Sequence, residues 1–394
     1  MQVVEIRPLA QTELELALPI WSQAFEHGER TMDDWRAMEQ RYGDRNVTYG
    51  LFDAAGLQAT VLITDSKLQF GPDVRIPCGG VSGVACLPAG RGKGYAGDAI
   101  RFVLAKMKEA GQVTSVLSPF SWSFYQNLGW EWTGAYRRYS VLSRVLRPDP
   151  ETDFVRLATR DDRTGIYDLY TRFSDQYRGM LMRNQAEWDH LLNDRKKEYT
   201  YTFVYERDGR FEGYLTFYGW KQDETSIREF LTLTPRARRA LLGLLRRHEM
   251  QVKKFVWRAP ENDLLWSQWI DWDIETKLIP LQMARIVDFA GALSLLHPPT
   301  DHHGVVDVAI RDANAPWNNG VWRITMESRH VTVTPTQATA QVEMDIRQAT
   351  QAFFGAPTLD DLRLAECLTV HDEEGYLCLQ HLLSGPPMWI NDDF

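Results

Sequence analysis

The clearest element in the pattern of apolar and polar positions lies between Tyr95 and Gly111. Ala96, Ile100, Val103, Leu104 and Met107 recur at helical spacing, and Gly111 is a natural stop. The preceding stretch, VRIPCGGVSGVACL (Val74–Leu87), reads as a strand that ends before Pro88, and VTSVL (Val113–Leu117) reads as another. The order is therefore strand, glycine turn, helix, strand. In SPFSWSFYQNLGW (Ser118–Trp130) a Pro turn leads into a short helix through Tyr125, ended by Gly129, with a last strand from Trp130.

The same order returns in Ile227–Pro260, IREFLTLTPRARRALLGLLRRHEMQVKKFVWRAP, as strand, x-Pro, Arg, helix and strand. Internal repetition of this kind indicates a duplicated unit. The copy has no glycine between Pro235 and Ala240, so its helix start cannot open its amides to a phosphate as closely. It is expected to keep the fold without the site. MARIVDFAGALSLL (Met283–Leu296) reads as a helix, GVWRITME and HVTVTP as strands, and DIRQATQAFFG as a further helix. Boundaries fall at LRPDPETD (Leu146–Asp153) and near Pro280–Leu296. The chain divides into segments 1–150, 151–285 and 286–394, each of domain size, in an α/β (α+β) architecture.

Composition narrows the function. The chain is 44% hydrophobic and 25% charged, as in a folded soluble protein, and no apolar stretch reaches the roughly 18 residues of a membrane span. The N-terminal stretch carries polar and charged residues throughout, unlike a signal peptide. The four cysteines, Cys78, Cys86, Cys367 and Cys378, form no CxxC pair. No disulfide framework or zinc site is indicated, and a cytoplasmic location with reduced thiols is expected. His297, Asp301, His302 and His303 cluster without ligand spacing, so no metal is expected. The net charge of −9 argues against nucleic acid as a partner and favours cationic small substrates.

The candidate chemistry lies in RGKGYA (Arg91–Ala96), where Gly90, Gly92 and Gly94 stand among cations at a helix start. Such a start suits an anion held on backbone amides. A P-loop fails, because Lys93 is followed by Gly94 rather than Ser or Thr. GKGYAG matches the dinucleotide fingerprint literally, but no acid follows between Val113 and Ser121, where the ribose would need one. The third pattern, R-x-x-G-x-A on Arg91, Gly94 and Ala96, resembles the acetyl-CoA signature of the GNAT acetyltransferases.

Over the whole chain the resemblance is narrower. PFSWSFYQNLGWE, the duplicated layout, APWNNGVWRI, FFG and the terminal MWINDDF together resemble the enhanced intracellular survival (Eis) acetyltransferases and their broader bacterial relatives. That resemblance implies tandem GNAT domains, with mixed, twisted sheets flanked by helices, followed by a sterol-carrier-like α/β domain that delivers the C-terminus. It implies acetyl-CoA as co-substrate, a small-molecule amine as partner and a homo-oligomer, typically a hexamer. By the same resemblance Val84, Ala85, Cys86, Arg91, Gly92, Lys93, Gly94, Tyr95, Ala96 and Phe120 would bind the coenzyme. Tyr125 would be the general acid, and the Phe394 carboxylate the general base. The run of arginines in the best-known members is broken here by Gly92 and Lys93. Phe25, Glu26, Trp35, Asp392 and Asp393, with Trp21, would line an acidic, aromatic amine pocket. A covalent route through Cys86 and a non-catalytic, lipid-binding use of the third segment are the alternatives.

Overall fold

The computed structural model describes residues 4–25, 45–193, 199–265, 274–298 and 303–392. In the first segment the strands are β1 (Glu5–Pro8), β2 (Asn46–Asp53), β3 (Gly56–Phe70), β4 (Arg75–Cys86), β5 (Thr114–Leu117) and β6 (Glu131–Leu142). β7 (Val155–Leu157), β8 (Arg178–Leu181), β9 (Thr200–Arg207), β10 (Arg210–Tyr218), β11 (Thr225–Thr232), β12 (Lys254–Pro260) and β13 (Ile274–Ile286) follow. The last are β14 (Gly304–Arg311), β15 (Gly320–Glu327), β16 (His330–Thr336), β17 (Val342–Asp345) and β18 (Leu368–Val370). The helices are α1 (Leu18–Ala24), α2 (Tyr95–Glu109), α3 (Trp122–Gln126), α4 (Arg163–Ser174) and α5 (Gln185–Leu192). They continue with α6 (Pro235–Arg247), α7 (Phe289–Ser294), α8 (Ile346–Phe354), α9 (Leu359–Leu364) and α10 (Glu373–Leu383).

Among the described residues, one sheet runs β1-β2-β3-β4-β5-β13-β6-β12-β11-β10-β9-β7, with β8 added to β3, and a second runs β16-β15-β14-β17-β18. The first two units meet by exchanging strands. β13 pairs with β5 from Met283↔Leu117 to Ile286↔Thr114, while β6 pairs with β12 from Tyr136↔Pro260 to Leu142↔Lys254. Each unit's last strand thus completes the other's sheet. This corrects the helix expected over Met283–Leu296: MARI is the end of β13, and only Phe289–Ser294 is α-helical. Met283, Ala284 and Ile286 are fully buried, and a strand covered on both faces shows no period-two alternation to tell it from a buried helix.

The α2 helix forms where its pattern predicts. Ile100, Val103, Leu104 and Met107 are buried against the first unit's sheet, each contributing about 1.5–3 kcal/mol. Gly111, at φ +76°, turns the chain back into β5. In the third unit, α8 sets Phe353 and Phe354 against Phe70 of β3, with ring centroids 5.1 and 5.2 Å away. No helix among the described residues is long and apolar enough to cross a membrane.

Candidate active site

β4 pairs in parallel with β5 from Cys78↔Thr114 to Val81↔Leu117, where β5 ends, while β4 runs on to Cys86. On its other edge β4 stays paired with β3, but the register shifts between Leu62↔Ser82 and Thr60↔Ala85. This bulge is centred on Gly83, whose φ of +57° suits a residue without a Cβ. The bulge bends β4 away from its parallel neighbour. The Gly83 carbonyl accepts from Thr60 Oγ1 at 2.9 Å and from Trp21 Nε1 at 3.3 Å. Trp21 is therefore a buried brace on the bulge, and Phe25 packs half-buried at the end of α1 in the same small cluster. Over Ser82–Cys86, the β4 edge opposite β3 pairs with no strand among the described residues. An extended ligand arm can pair with its backbone there, beside Val84, Ala85 and Cys86.

At the end of this edge the chain turns into α2. Gly92 and Gly94 have φ of +78° and +84°, and a Cβ on either would touch nothing within 4 Å. Glycine is needed there for the left-handed backbone, and the space above it stays open. Gly94 is the N-cap residue of this 15-residue helix, so no capping side chain consumes the amides of its first turn. Those amides, the positive helix end and the exposed Arg91 and Lys93 form a cradle that fits a pyrophosphate. Tyr95 is buried and its hydroxyl donates to Asp53 Oδ2 at 3.0 Å, pinning the helix start to β2. Burial pushes the Cys86 thiol up despite the opposing pull of Arg91 and Lys93, which makes it a poor nucleophile and weighs against the covalent route.

Tyr125 stands on α3 at 2% exposure. Its ring lies edge-on to Phe120, Phe124 and Trp130, with centroids 5.4, 5.0 and 6.4 Å away. Burial raises the phenol above its ordinary value, so it holds its proton at neutral pH. Phe120, 65% exposed, leaves an apolar face at the rim.

A residue that the sequence did not flag holds this turn. Arg285 of β13 is wholly buried, and its Nη1 donates to the Leu128 carbonyl at 2.6 Å. Its Nη2 donates to both Asp312 oxygens, at 2.8 and 2.6 Å. Asp312 also accepts from the Asn314 and Ala315 amides and from Asn318 Nδ2, each at 3.0 Å. Gly129 sits against the guanidinium, and a Cβ there would come within 1.4 Å of Arg285 Nη1. Leu128 and Trp130 each donate their amide to the Tyr125 carbonyl, at 3.0 and 3.1 Å. The FYQNLGW turn and the loop carrying APWNNG, far apart in sequence, thus meet on one buried ion pair beneath Tyr125.

The C-terminal segment is anchored inward. Pro387 and Trp389 hydrogen-bond across to the Arg178 backbone at 2.9 Å each, and Met388, Trp389 and Ile390 are buried. The Asp392 carboxylate pairs with Arg183 at 3.0 Å, and its carbonyl accepts from Gln282 Nε2 at 2.7 Å. Gln282 precedes Met283, the partner of Leu117 in the row where β4 and β5 part. Glu26, Trp35, Asp393 and Phe394 lie outside the described residues. Among the described residues, no three His, Cys, Asp or Glu side chains group as metal ligands.

Known proteins share the domain order of this chain. Acetyltransferase (GNAT) domain families match residues 5–133 and 179–286, and a sterol carrier protein domain matches residues 290–391. An uncharacterized N-acetyltransferase of Streptomyces avermitilis is 24% identical over 387 residues, spanning 92% of both chains. A probable N-acyltransferase of Enterococcus faecalis has a solved structure that superposes with a TM-score of 0.89 at 25% identity, covering both chains fully. Eis1 from Mycobacterium abscessus shares the fold at a TM-score of 0.80 and 18% identity, again over the full length of both. Two GNAT domains and a sterol carrier domain in this order place the chain among the GNAT N-acetyltransferases, as an acyltransferase enzyme.

Proposed function

We propose that the first GNAT unit transfers acetyl from acetyl-CoA directly to a primary amine of a small cationic substrate, of the polyamine, aminoglycoside or lysine type. The observation that carries this reading is the bulged, diverging β4 edge ending in an uncapped glycine turn, with Tyr125 in the same buried cluster as Val84 and Tyr95. The Ser82–Cys86 backbone would pair with the pantetheine arm, and the Gly92–Ala96 amides, with Arg91 and Lys93, would hold the pyrophosphate. Bound acetyl-CoA supplies an activated thioester acyl group. Tyr125, kept protonated by burial, donates its proton to the departing sulfur. The Phe394 carboxylate takes the amine proton. Supporting that role, the tail is tied at Asp392 to Gln282 of β13, the neighbour of Met283 in the row where β4 and β5 part. The net charge of −9 favours a cationic acceptor. The lipid-binding alternative is weakened by α8, whose Phe353 and Phe354 are spent on packing against Phe70.

The test is amine-dependent thiol release from acetyl-CoA across polyamines, aminoglycosides and lysine peptides. Tyr125→Phe should lower turnover on the order of 100-fold or more with coenzyme binding retained. Unchanged turnover would remove Tyr125 from the mechanism.

A further inference from the structure

The second unit repeats the bulged strand of the first, but something other than a ligand rests on it. β11 pairs in parallel with β12 only at Thr225↔Phe255 and Ser226↔Val256, then diverges. Its register with β10 shifts between Phe217↔Ile227 and Thr216↔Glu229, which leaves Arg228 as the bulged residue. In the first unit the bulged residue, Gly83, likewise stands two residues beyond the last parallel pair, Val81↔Leu117. The Arg228 carbonyl accepts from Asn391 Nδ2 at 3.2 Å, so the C-terminal tail docks on the bulge itself.

Next to it is a buried charge network that the proposed chemistry does not use. The Glu229 side chain is fully buried and the Arg183 side chain is 2% exposed. Arg183 donates to both Glu229 oxygens, at 2.9 and 2.7 Å, and to both Asp392 oxygens, at 3.0 and 3.2 Å. Tyr214 donates to Glu229 at 2.5 Å, and the guanidinium lies 4.3 and 4.9 Å from the ring centres of Tyr170 and Trp188. A guanidinium forked between two carboxylates fixes direction as well as distance. The Asp392 carbonyl is meanwhile tied to Gln282 on β13, the second unit's strand inside the first unit's sheet. The tail is therefore held from both units, next to the row where β4 and β5 part.

We infer that the second GNAT unit serves as the receptor for the C-terminal tail, and that Arg183, through Glu229 and Asp392, is a positioning residue for acetyl transfer. This rests on the proposed reading that the tail supplies the base. Arg183 is buried and does not touch substrate; it acts by where it holds the last residues of the chain.

The test uses the full chain with its native C-terminus. Asp392→Ala removes the tail's arm of the network, and the double variant Arg183→Met/Glu229→Gln removes the fully buried ion pair, leaving only the partly exposed Asp392 carboxylate without its partner. Each should lower kcat roughly 10- to 100-fold with the KM for acetyl-CoA unchanged. Hydrogen exchange of the tail amides from Met388 to Asp392 should accelerate in both. Matching losses from the two variants separate positioning from direct substrate contact, because Arg183 has none. Tail amides that stay protected in both variants overturn the inference, as do amides that exchange freely while kcat is unchanged. A chain with residues added after Phe394 reports on the base itself. If that extended chain is active, the base reading falls and the positioning role falls with it. If it is inactive while both network variants keep full activity, the positioning role alone is overturned.

Discussion

Two helix starts, Gly94–Tyr95 and Thr234–Pro235, follow the same kind of bulged strand and end in different chemistry. At the first, Gly94 brings no side chain and leaves the opening amides of α2 to a ligand. At the second, Pro235 has no N–H and the Ala237 amide donates to Thr234 Oγ1 at 3.2 Å. Thr234 in turn donates to Glu212 at 2.7 Å, and Glu212 also pairs with Arg236, so the chain supplies its own carboxylate at that helix end. The two starts share a layout and differ in the cap, and in the proposed reading that difference decides which unit takes the coenzyme.

The comparison can be broken at graded cost. Asp312→Ala should be the most damaging, since it leaves Arg285 buried without its carboxylate partner, at about 3–5 kcal/mol in urea unfolding. A smaller loss would mean that the Leu128 carbonyl and the Trp130 face suffice. Gly94→Val forces a β-branched residue to φ +84° and should weaken acetyl-CoA binding about tenfold in a calorimetric titration. The equivalent change in the other unit, Thr234→Ala, should leave coenzyme affinity unchanged and cost about 1 kcal/mol of stability through the lost cap.

Acid should act on the second unit at the tail network. Burial alone would raise the Glu229 carboxyl, but the Arg183 charge and the hydrogen bonds from Arg183 and Tyr214 outweigh it and leave it below its ordinary value. A carboxyl lowered on folding contributes stability that is fully present above its unfolded value, near 4.3, and is lost as pH falls through the folded one. Stability should therefore decline below about pH 4, and Glu229→Gln should flatten part of that limb in pH-dependent urea melts.

Local features were legible in the sequence. The α2 periodicity, the stop at Gly111, the left-handed turn at Gly92 and Gly94 and the short helix under Tyr125 all follow from neighbours within a few residues. The side-chain-capped helix start of the copy was legible too, from Pro235 and the missing glycine. The strand exchange was hidden, because MARI reads alike as a buried strand or a buried helix, and pairing it with Thr114–Leu117 spans most of two units. Arg183, Glu229, Arg285 and Asp312 were equally silent. A charged residue in sequence reads as solvated surface, and only the fold shows that these four meet in the interior. Asp392 was placed in an acidic substrate pocket by its position near the end of the chain; the structure gives its carboxylate to Arg183.

The most direct measurement is the stoichiometry of acetyl-CoA binding by calorimetry, on the unaltered chain and on Gly94→Val. One open and one internally capped helix start predict a single coenzyme per chain, weakened by Gly94→Val. Two coenzymes per chain, or one whose affinity ignores Gly94→Val, would contradict it.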